Sequence, residues 1–383
     1  IIFSCIEPFH PEITNNDPEN QLVVEGRVTD ETAPFRVRLT RPDNVYNYQN
    51  QYNFSPVTDA IVDISDIRGN VFPLFYTDNG WYETEDKKLK GVPGNTYILH
   101  ITESNGTQYE SSPELMTEVP QIDSVYYEEN EQIYYADKEL IAEKWLTIYL
   151  NTQPYSDEKS YFKWEFDETW EFNMPQYIRV VKHKFVEDRV IDTAFMTWVY
   201  IPSEQLHCWT SETTRSILVK STGDQGSGDI SKFKIKSISP EDDRISIRYS
   251  IEVRQYAMDK ELYNYFKTLV SLNQTNGGIY DHQPAPVYGN ITCCTGNNNA
   301  LGYFLVSGVR TKRIFIKNEE ISTGTGHSAY SKCGWEYPPL RGDYYFYGNI
   351  FEGIRDAGVA VLSKNHYCTD CRDRGTSRKP DFW

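Results

Sequence analysis

Seven cysteines are the residues in this chain whose types and spacing most constrain the chemistry. Six of them, Cys208, Cys293, Cys294, Cys333, Cys368 and Cys371, form an even set. In an exported chain such a set reads as a disulfide framework, and spacing alone leaves fifteen pairings open. Vicinal Cys293 and Cys294 are poorly placed to bond each other, so each is expected to reach a different partner. The run His366-Tyr367-Cys368-Thr369-Asp370-Cys371 has the form of half a zinc site. A structural zinc site takes four ligands, and a second close Cys/His pair is missing unless Cys293 and Cys294 supply it. Thioredoxin-like exchange at Cys368 and Cys371 needs a helix N-terminus to stabilise the thiolate, and the flanking residues carry no helical period. The expectation is disulfides, with no metal.

Other catalytic patterns are thin. The sequence has no His-Glu-x-x-His, no Gly-x-Ser-x-Gly elbow, no phosphate loop ending in Gly-Lys-Ser/Thr and no dinucleotide fingerprint behind a strand. Gly324-Thr325-Gly326-His327-Ser328 lacks the spacing and the following helix of a phosphate site and reads as a loop. A pair of carboxylates can hydrolyse a glycoside. Glu165, Asp167, Glu168 and Glu171 surround Trp164 and Trp170, but on a strand Glu165, Asp167 and Glu171 share the polar face and read as solvated side chains. Glu128-Glu129-Asn130-Glu131 lacks the glycine-punctuated loop of a calcium site. No catalytic residue and no cofactor is expected, and the chain reads as non-enzymatic.

Ile1-Ile2-Phe3-Ser4-Cys5 is an apolar run, a small residue and a cysteine, the pattern at the end of a bacterial lipoprotein signal peptide. Cys5 is then the lipidation site. Pro8, Pro11, Asn15, Asn16, Asp17 and Pro18 suit a polar tether behind it. No later apolar stretch reaches the roughly 18 residues of a spanning helix, so membrane attachment rests on the lipid alone. The formal net charge of -17 repels polyanions and excludes nucleic acid as a partner. Tyrosine is abundant, at 29 residues, and its half-apolar, half-polar ring suits interfaces. Tyr46, Tyr48, Tyr52 and Phe54 lie among Asn and Gln in an insertion fit for protein, peptide or glycan contact. Trp335 and Tyr337 make a second such patch. Phe382 and Trp383 are costly to leave in water, so they are expected to dock, on this protein or on a partner.

The elements that carry these residues are mostly strands. Residues 1–20 form the signal remnant, lipidated Cys5 and tether. Residues 21–118 alternate apolar and polar side chains in about seven short runs, with Asp78-Asn79-Gly80 and Asn105-Gly106 as turn chemistry. That pattern predicts an immunoglobulin-like β-sandwich. Residues 119–317 predict a second, larger β-sandwich-like domain. It contains one amphipathic helix near 259–272, with Asp259 as N-cap, Leu262, Phe266, Leu269, Val270 and Leu272 on one face, and Asn276-Gly277-Gly278 as the stop. Residues 318–383, rich in Cys, Gly and Tyr, predict an irregular, disulfide-stapled segment packed on that domain.

Several motifs across the chain resemble a family of Bacteroidota outer-membrane lipoproteins catalogued as a domain of unknown function. They include Leu22-Val23-Val24-Glu25-Gly26 with Thr29-Asp30, Gly91-Val92-Pro93-Gly94 and Ile122-Asp123-Ser124-Val125-Tyr126. Further matches are Arg248 to Tyr256 with the helix behind it, Leu301-Gly302-Tyr303-Phe304, and Lys379-Pro380-Asp381-Phe382-Trp383. The resemblance implies a lipid-anchored outer-membrane protein at the cell surface that docks on a TonB-dependent or assembly-type β-barrel. It supplies no catalytic residue, and the Cys293-Cys294 pair is a departure from its pattern. It also makes Ser124 and Thr193, each preceded by Asp, candidate acceptors of O-linked sugar. The rival expectation is a surface lipoprotein that binds glycan or peptide through its aromatic loops.

Overall fold

Period-two alternation makes strands of most of the described residues. The computed structural model describes residues 21–42, 54–85, 89–136, 139–155, 159–173, 177–186, 189–200, 206–222, 228–274, 287–296, 300–322 and 371–383. The first nine strands are β1 (Val23–Thr29), β2 (Arg36–Pro42), β3 (Phe54–Pro56), β4 (Ile61–Asp66), β5 (Val71–Tyr76), β6 (Trp81–Thr84), β7 (Thr96–Thr102), β8 (Gln108–Ser111) and β9 (Glu114–Leu115). Then come β10 (Ile122–Ala136), β11 (Glu139–Thr152), β12 (Tyr161–Asn173), β13 (Tyr177–Val186), β14 (Arg189–Tyr200), β15 (His207–Thr213), β16 (Leu218–Ser221), β17 (Ile230–Ile238) and β18 (Arg248–Met258). Helix α1 (Lys260–Gln274) precedes β19 (Ile291–Cys293), β20 (Leu301–Ser307) and β21 (Val309–Lys317). Among the described residues the fold is mostly β with one α-helix, as its patterning predicts.

The first sheet runs β19-β8-β7-β4-β5-β6-β2-β1-β20, with β3 on β2 and β9 on β7. It curls on itself, a sandwich close to a barrel, around Val24, Val37, Leu39, Ile64 and Leu99. Turn chemistry fixes its register. Asn79 at φ 47° and Gly80 at φ 83° close the β5–β6 hairpin in the left-handed conformation that Asn-Gly favours. A Cβ on Gly80 would lie 2.4 Å from the Leu39 carbonyl oxygen. Two strands of this sheet, β19 and β20, come from the stretch that sequence patterning gives to the second domain. β19 pairs with β8, and β20 pairs in parallel with β1 from Val23 opposite Leu301 to Thr29 opposite Ser307. Alternation identifies a strand but says nothing of its neighbour. Parallel pairing also needs a long connection, which the intervening residues provide.

The second body is a sandwich. A three-stranded sheet, β10-β11-β17, faces β15-β12-β18-β21 with β16 beside β12. Phe162, Trp164, Phe166, Trp170 and Phe172 point inward from β12 and meet Leu146, Ile148, Tyr249, Ile251 and Val253. Strands β13 and β14 pair only with each other among the described residues. Asp259 Oδ1 accepts the Leu262 backbone N–H at 2.7 Å, so α1 starts at the expected N-cap. Its expected stop residues, 276–278, lie outside the described residues. Leu262 and Tyr263 are buried against β18 and β20 in a third apolar cluster that joins the two bodies. Polar contacts cross the same junction. Asp30 accepts from the Val309 backbone N–H and pairs with Arg310, each at 2.7 Å.

The C-terminal residues 371–383 are tied to the second sandwich. Cys208 and Cys371 form a disulfide. Beyond it, Trp209 and Thr376 exchange two backbone hydrogen bonds, at 2.9 and 2.8 Å. Arg374 ion-pairs with Asp243 and lies over the Phe172 ring at 4.9 Å.

Candidate functional site

A cleft of about 580 Å³ opens between the outer face of the first sheet and the second sandwich. Each wall comes from a different part of the chain. Strand alternation turns Glu25 and Arg27 of β1 outward into it, β12 contributes Lys163 and Glu165, and β18 contributes Arg254. Helix α1 supplies Tyr265 and Phe266, β20 supplies Tyr303, and Trp81 of β6 stands at the far side. Glu165 is the hub of the floor. It takes Arg27 at 2.6 Å on one carboxylate oxygen and Lys163 at 2.5 Å on the other. The Tyr256 hydroxyl accepts from Arg27 at 3.1 Å and donates to Glu165 at 3.3 Å. Burial alone would raise the Glu165 carboxyl, but Lys163 and Arg27 outweigh it and hold the group at about 2. Burial, with the Glu165 charge beside it, pushes the Tyr256 phenol well up, so it stays protonated. At neutral pH the hub is therefore a fixed anion, poorly matched to proton transfer.

Glu168 and Glu114 are two of the carboxylates buried away from this cleft. Glu168 falls on the inward face of β12 and is almost fully buried. Tyr249 donates to it at 2.5 Å, Lys236 pairs with it, and Arg244 lies 3.7 Å away. This cluster spans both sheets of the second sandwich, and both Glu168 oxygens are bonded within it, while the Arg244 Nε has no hydrogen-bond partner among the described residues. Glu114 of β9 accepts from Asn290 and Tyr303, which with Tyr265 and Tyr288 are among the residues lining a second cavity of about 520 Å³. Burial raises the Glu114 carboxyl above its ordinary value, against hydrogen bonds from Ser112 and Asn290 at 2.6 Å each. Among the described residues, no group of three His, Cys, Asp or Glu side chains is arranged to hold a metal.

The sequence-predicted residues scatter. Phe54 sits on β3 under the Arg38 guanidinium, 4.3 Å from the ring centroid. Ser124 is half-buried on β10 and accepts from Asn151 at 2.9 Å. Thr193 lies on β14 beside a register shift in the β13–β14 ladder. Cys293 ends β19, and exposed Cys294 follows it with its N–H on the Gln108 carbonyl at 2.8 Å. Phe382 and Trp383 lie on the outer face of β18 and β21. Arg313 stacks on Phe382 at 3.7 Å, while Arg248 and Phe315 flank Trp383 at 5.1 and 5.6 Å. Cys5, Tyr46, Tyr48, Tyr52, Cys333, Trp335, Tyr337 and Cys368 lie outside the described residues.

The cleft residues Arg27, Lys163 and Arg254 carried no sequence signal, because alternation marks them only as outward-facing. Glu165 is on that outward face too, but the first sheet covers it. A second feature was legible but unused. The β10–β11 hairpin outruns its sheet, since β17 pairs with β11 only from Leu146 to Thr152. Asn130–Ala136 and Glu139–Trp145 therefore have only each other as strand partners among the described residues, over roughly 24 Å at the usual rise. Apolar side chains occupy both faces of its tip. Tyr135 stands opposite Leu140 and Ile133 opposite Ala142 on one face, and Tyr134 opposite Ile141 on the other. Ile133, Tyr135 and Leu140 are 66%, 70% and 75% exposed.

A family model described as "Domain of unknown function (DUF4249)" matches residues 6–313. No curated protein matches the chain.

Proposed function

The chain belongs to this family of unknown function, and from that premise we propose that it is a lipid-anchored, non-enzymatic accessory subunit that docks on an outer-membrane β-barrel. The observation that supports docking is the projecting β10–β11 hairpin. A two-stranded ribbon gains little stability alone in water, and one with Ile133, Tyr135 and Leu140 exposed at its tip gains more by burial in a partner. Glu128, Glu129, Glu131, Glu139 and Glu143 lie along the same ribbon. They favour a partner surface with basic residues around an apolar recess. Cys5 carries the lipid in this reading, and the protein sits at the cell surface of a Bacteroidota outer membrane.

The experiment is affinity purification from outer membranes after gentle detergent extraction, read by mass spectrometry. The native protein should bring down one barrel in near-stoichiometric amount. The double variant Ile133→Asp, Leu140→Asp changes only exposed side chains, so it should keep its melting temperature and lose the barrel. A variant that retains the barrel removes the hairpin from the proposal. A native protein that brings down no barrel overturns the function.

A further inference from the structure

The interdomain cleft has a charge order that the docking reading does not use. On the floor, two cations share one carboxylate: Arg27 and Lys163 both bind Glu165. Other lining cations have their own anions, Arg36 with Glu83 at 2.6 Å and Arg254 with Asp167 at 3.1 Å. Counted by direct contact, the floor carries about one surplus positive charge inside a chain of formal net -17, with Glu31 acting on Arg27 through space from the rim. Arg27 is the accessible part of it, with its side chain 42% exposed against 14% for Lys163. Two carboxylates of the opposite sign, Glu25 and Glu31, are exposed at the rim. Between floor and rim stand the rings of Tyr265, Phe266 and Tyr303. Tyr265 packs edge-on to Phe266 at 5.3 Å and tilted against Tyr303 at 5.6 Å.

We propose that this cleft binds a small zwitterion of the amino-acid or short-peptide class. The ligand carboxylate meets Arg27 beside Lys163, its apolar side chain lies on Phe266 and Tyr265, and its ammonium faces Glu25 and Glu31. The volume of about 580 Å³ is that of a small-ligand pocket. A neutral glycan would leave the surplus floor charge and the rim carboxylates dehydrated without a partner, an unfavourable exchange. A ligand with separated opposite charges answers both ends. Glu165 stays ionised through the whole physiological range, so the floor does not lose its geometry when a second carboxylate arrives. The inference does not rest on barrel docking, and either can fail alone.

The test is calorimetric titration of the full chain with a panel of dipeptides bearing aromatic or branched aliphatic side chains. The same panel is tested as C-terminal amides and as N-acetyl derivatives, with maltotriose as the neutral control. At least one free dipeptide should bind at millimolar concentration or better. Its amide and its N-acetyl form should each bind about tenfold more weakly. Arg27→Gln should weaken the free dipeptide by about tenfold and its amide by clearly less, because the substitution opens the Arg27–Glu165 pair for both ligands but removes a carboxylate contact only from the free one. Glu25→Gln, an exposed change that spares the fold, should erase part of the difference between the free and N-acetyl forms. No binding by any panel member overturns the proposal. So does binding indifferent to amidation, or binding of maltotriose alone.

Discussion

Glu165 shows how a side chain changes meaning when a second body covers it. On β12 it alternates with Trp164 and Phe166 and belongs to the polar face. The first sheet then lays Arg27 against that face, and a solvated carboxylate becomes an ionised hub. Its folded value of about 2 lies below its ordinary 4.5. A depressed carboxyl contributes stability that is complete above the unfolded value and disappears as pH falls through the folded one. The stability difference between the parent and Glu165→Gln should therefore be full above about pH 4.5, on the order of 3 kcal/mol. It should shrink steadily toward pH 2. Urea unfolding of both proteins across that range measures it. A difference that is flat with pH would mean that Glu165 is not the hub. Glu168, three residues on, was readable as an inward acid from the period of two. Its partners Tyr249, Lys236 and Arg244 were not, because they come from other strands.

Elements were legible where local chemistry decides them. Asp78-Asn79-Gly80 turns as Asn-Gly demands, and Asp259 caps the helix that begins at Lys260. Element pairing was not legible, since any alternating strand satisfies any neighbour with an apolar face. Residues 371–383 show both sides of this. Two terminal aromatics implied docking, and the surface they meet is cationic rather than an apolar pocket. Arg313 and Arg248 lie over Phe382 and Trp383, with Phe315 edge-on to Trp383. Phe382 remains 44% exposed. Removing residues 382 and 383 should lower stability by about 1–2 kcal/mol, the worth of two partly exposed cation–π contacts and one aromatic pair. Differential scanning calorimetry reads this as a lower melting temperature with unchanged cooperativity. An unchanged melting temperature would show that the contacts contribute nothing.

At the scale of the whole molecule, the two sandwiches are not separable along the chain. The sequence places a boundary between residues 118 and 119, yet β19 and β20 return to finish the first sheet. A fragment of residues 21–118 lacks the strand beside β1 and the strand beside β8. It should give no dispersed amide spectrum and no cooperative unfolding transition. Adding residues 119–322 should restore both. A fragment that unfolds cooperatively by itself would make the two returning strands ornamental. Gly302 makes the pairing exacting, because at φ 93° a Cβ there would sit 1.9 Å from the Val24 carbonyl oxygen. The parallel β1–β20 ladder also sets an order in time. Synthesis delivers β1 early and β20 only after most of the other strands. Until then β1 waits with one edge unsatisfied, and such an edge invites pairing with other chains. Folding cannot proceed from the N-terminus domain by domain. The last step must join the first strand of the sheet to nearly the last of the described strands, a closure of high contact order and slow rate. A holding factor during synthesis or transit would protect that open edge until its neighbour arrives.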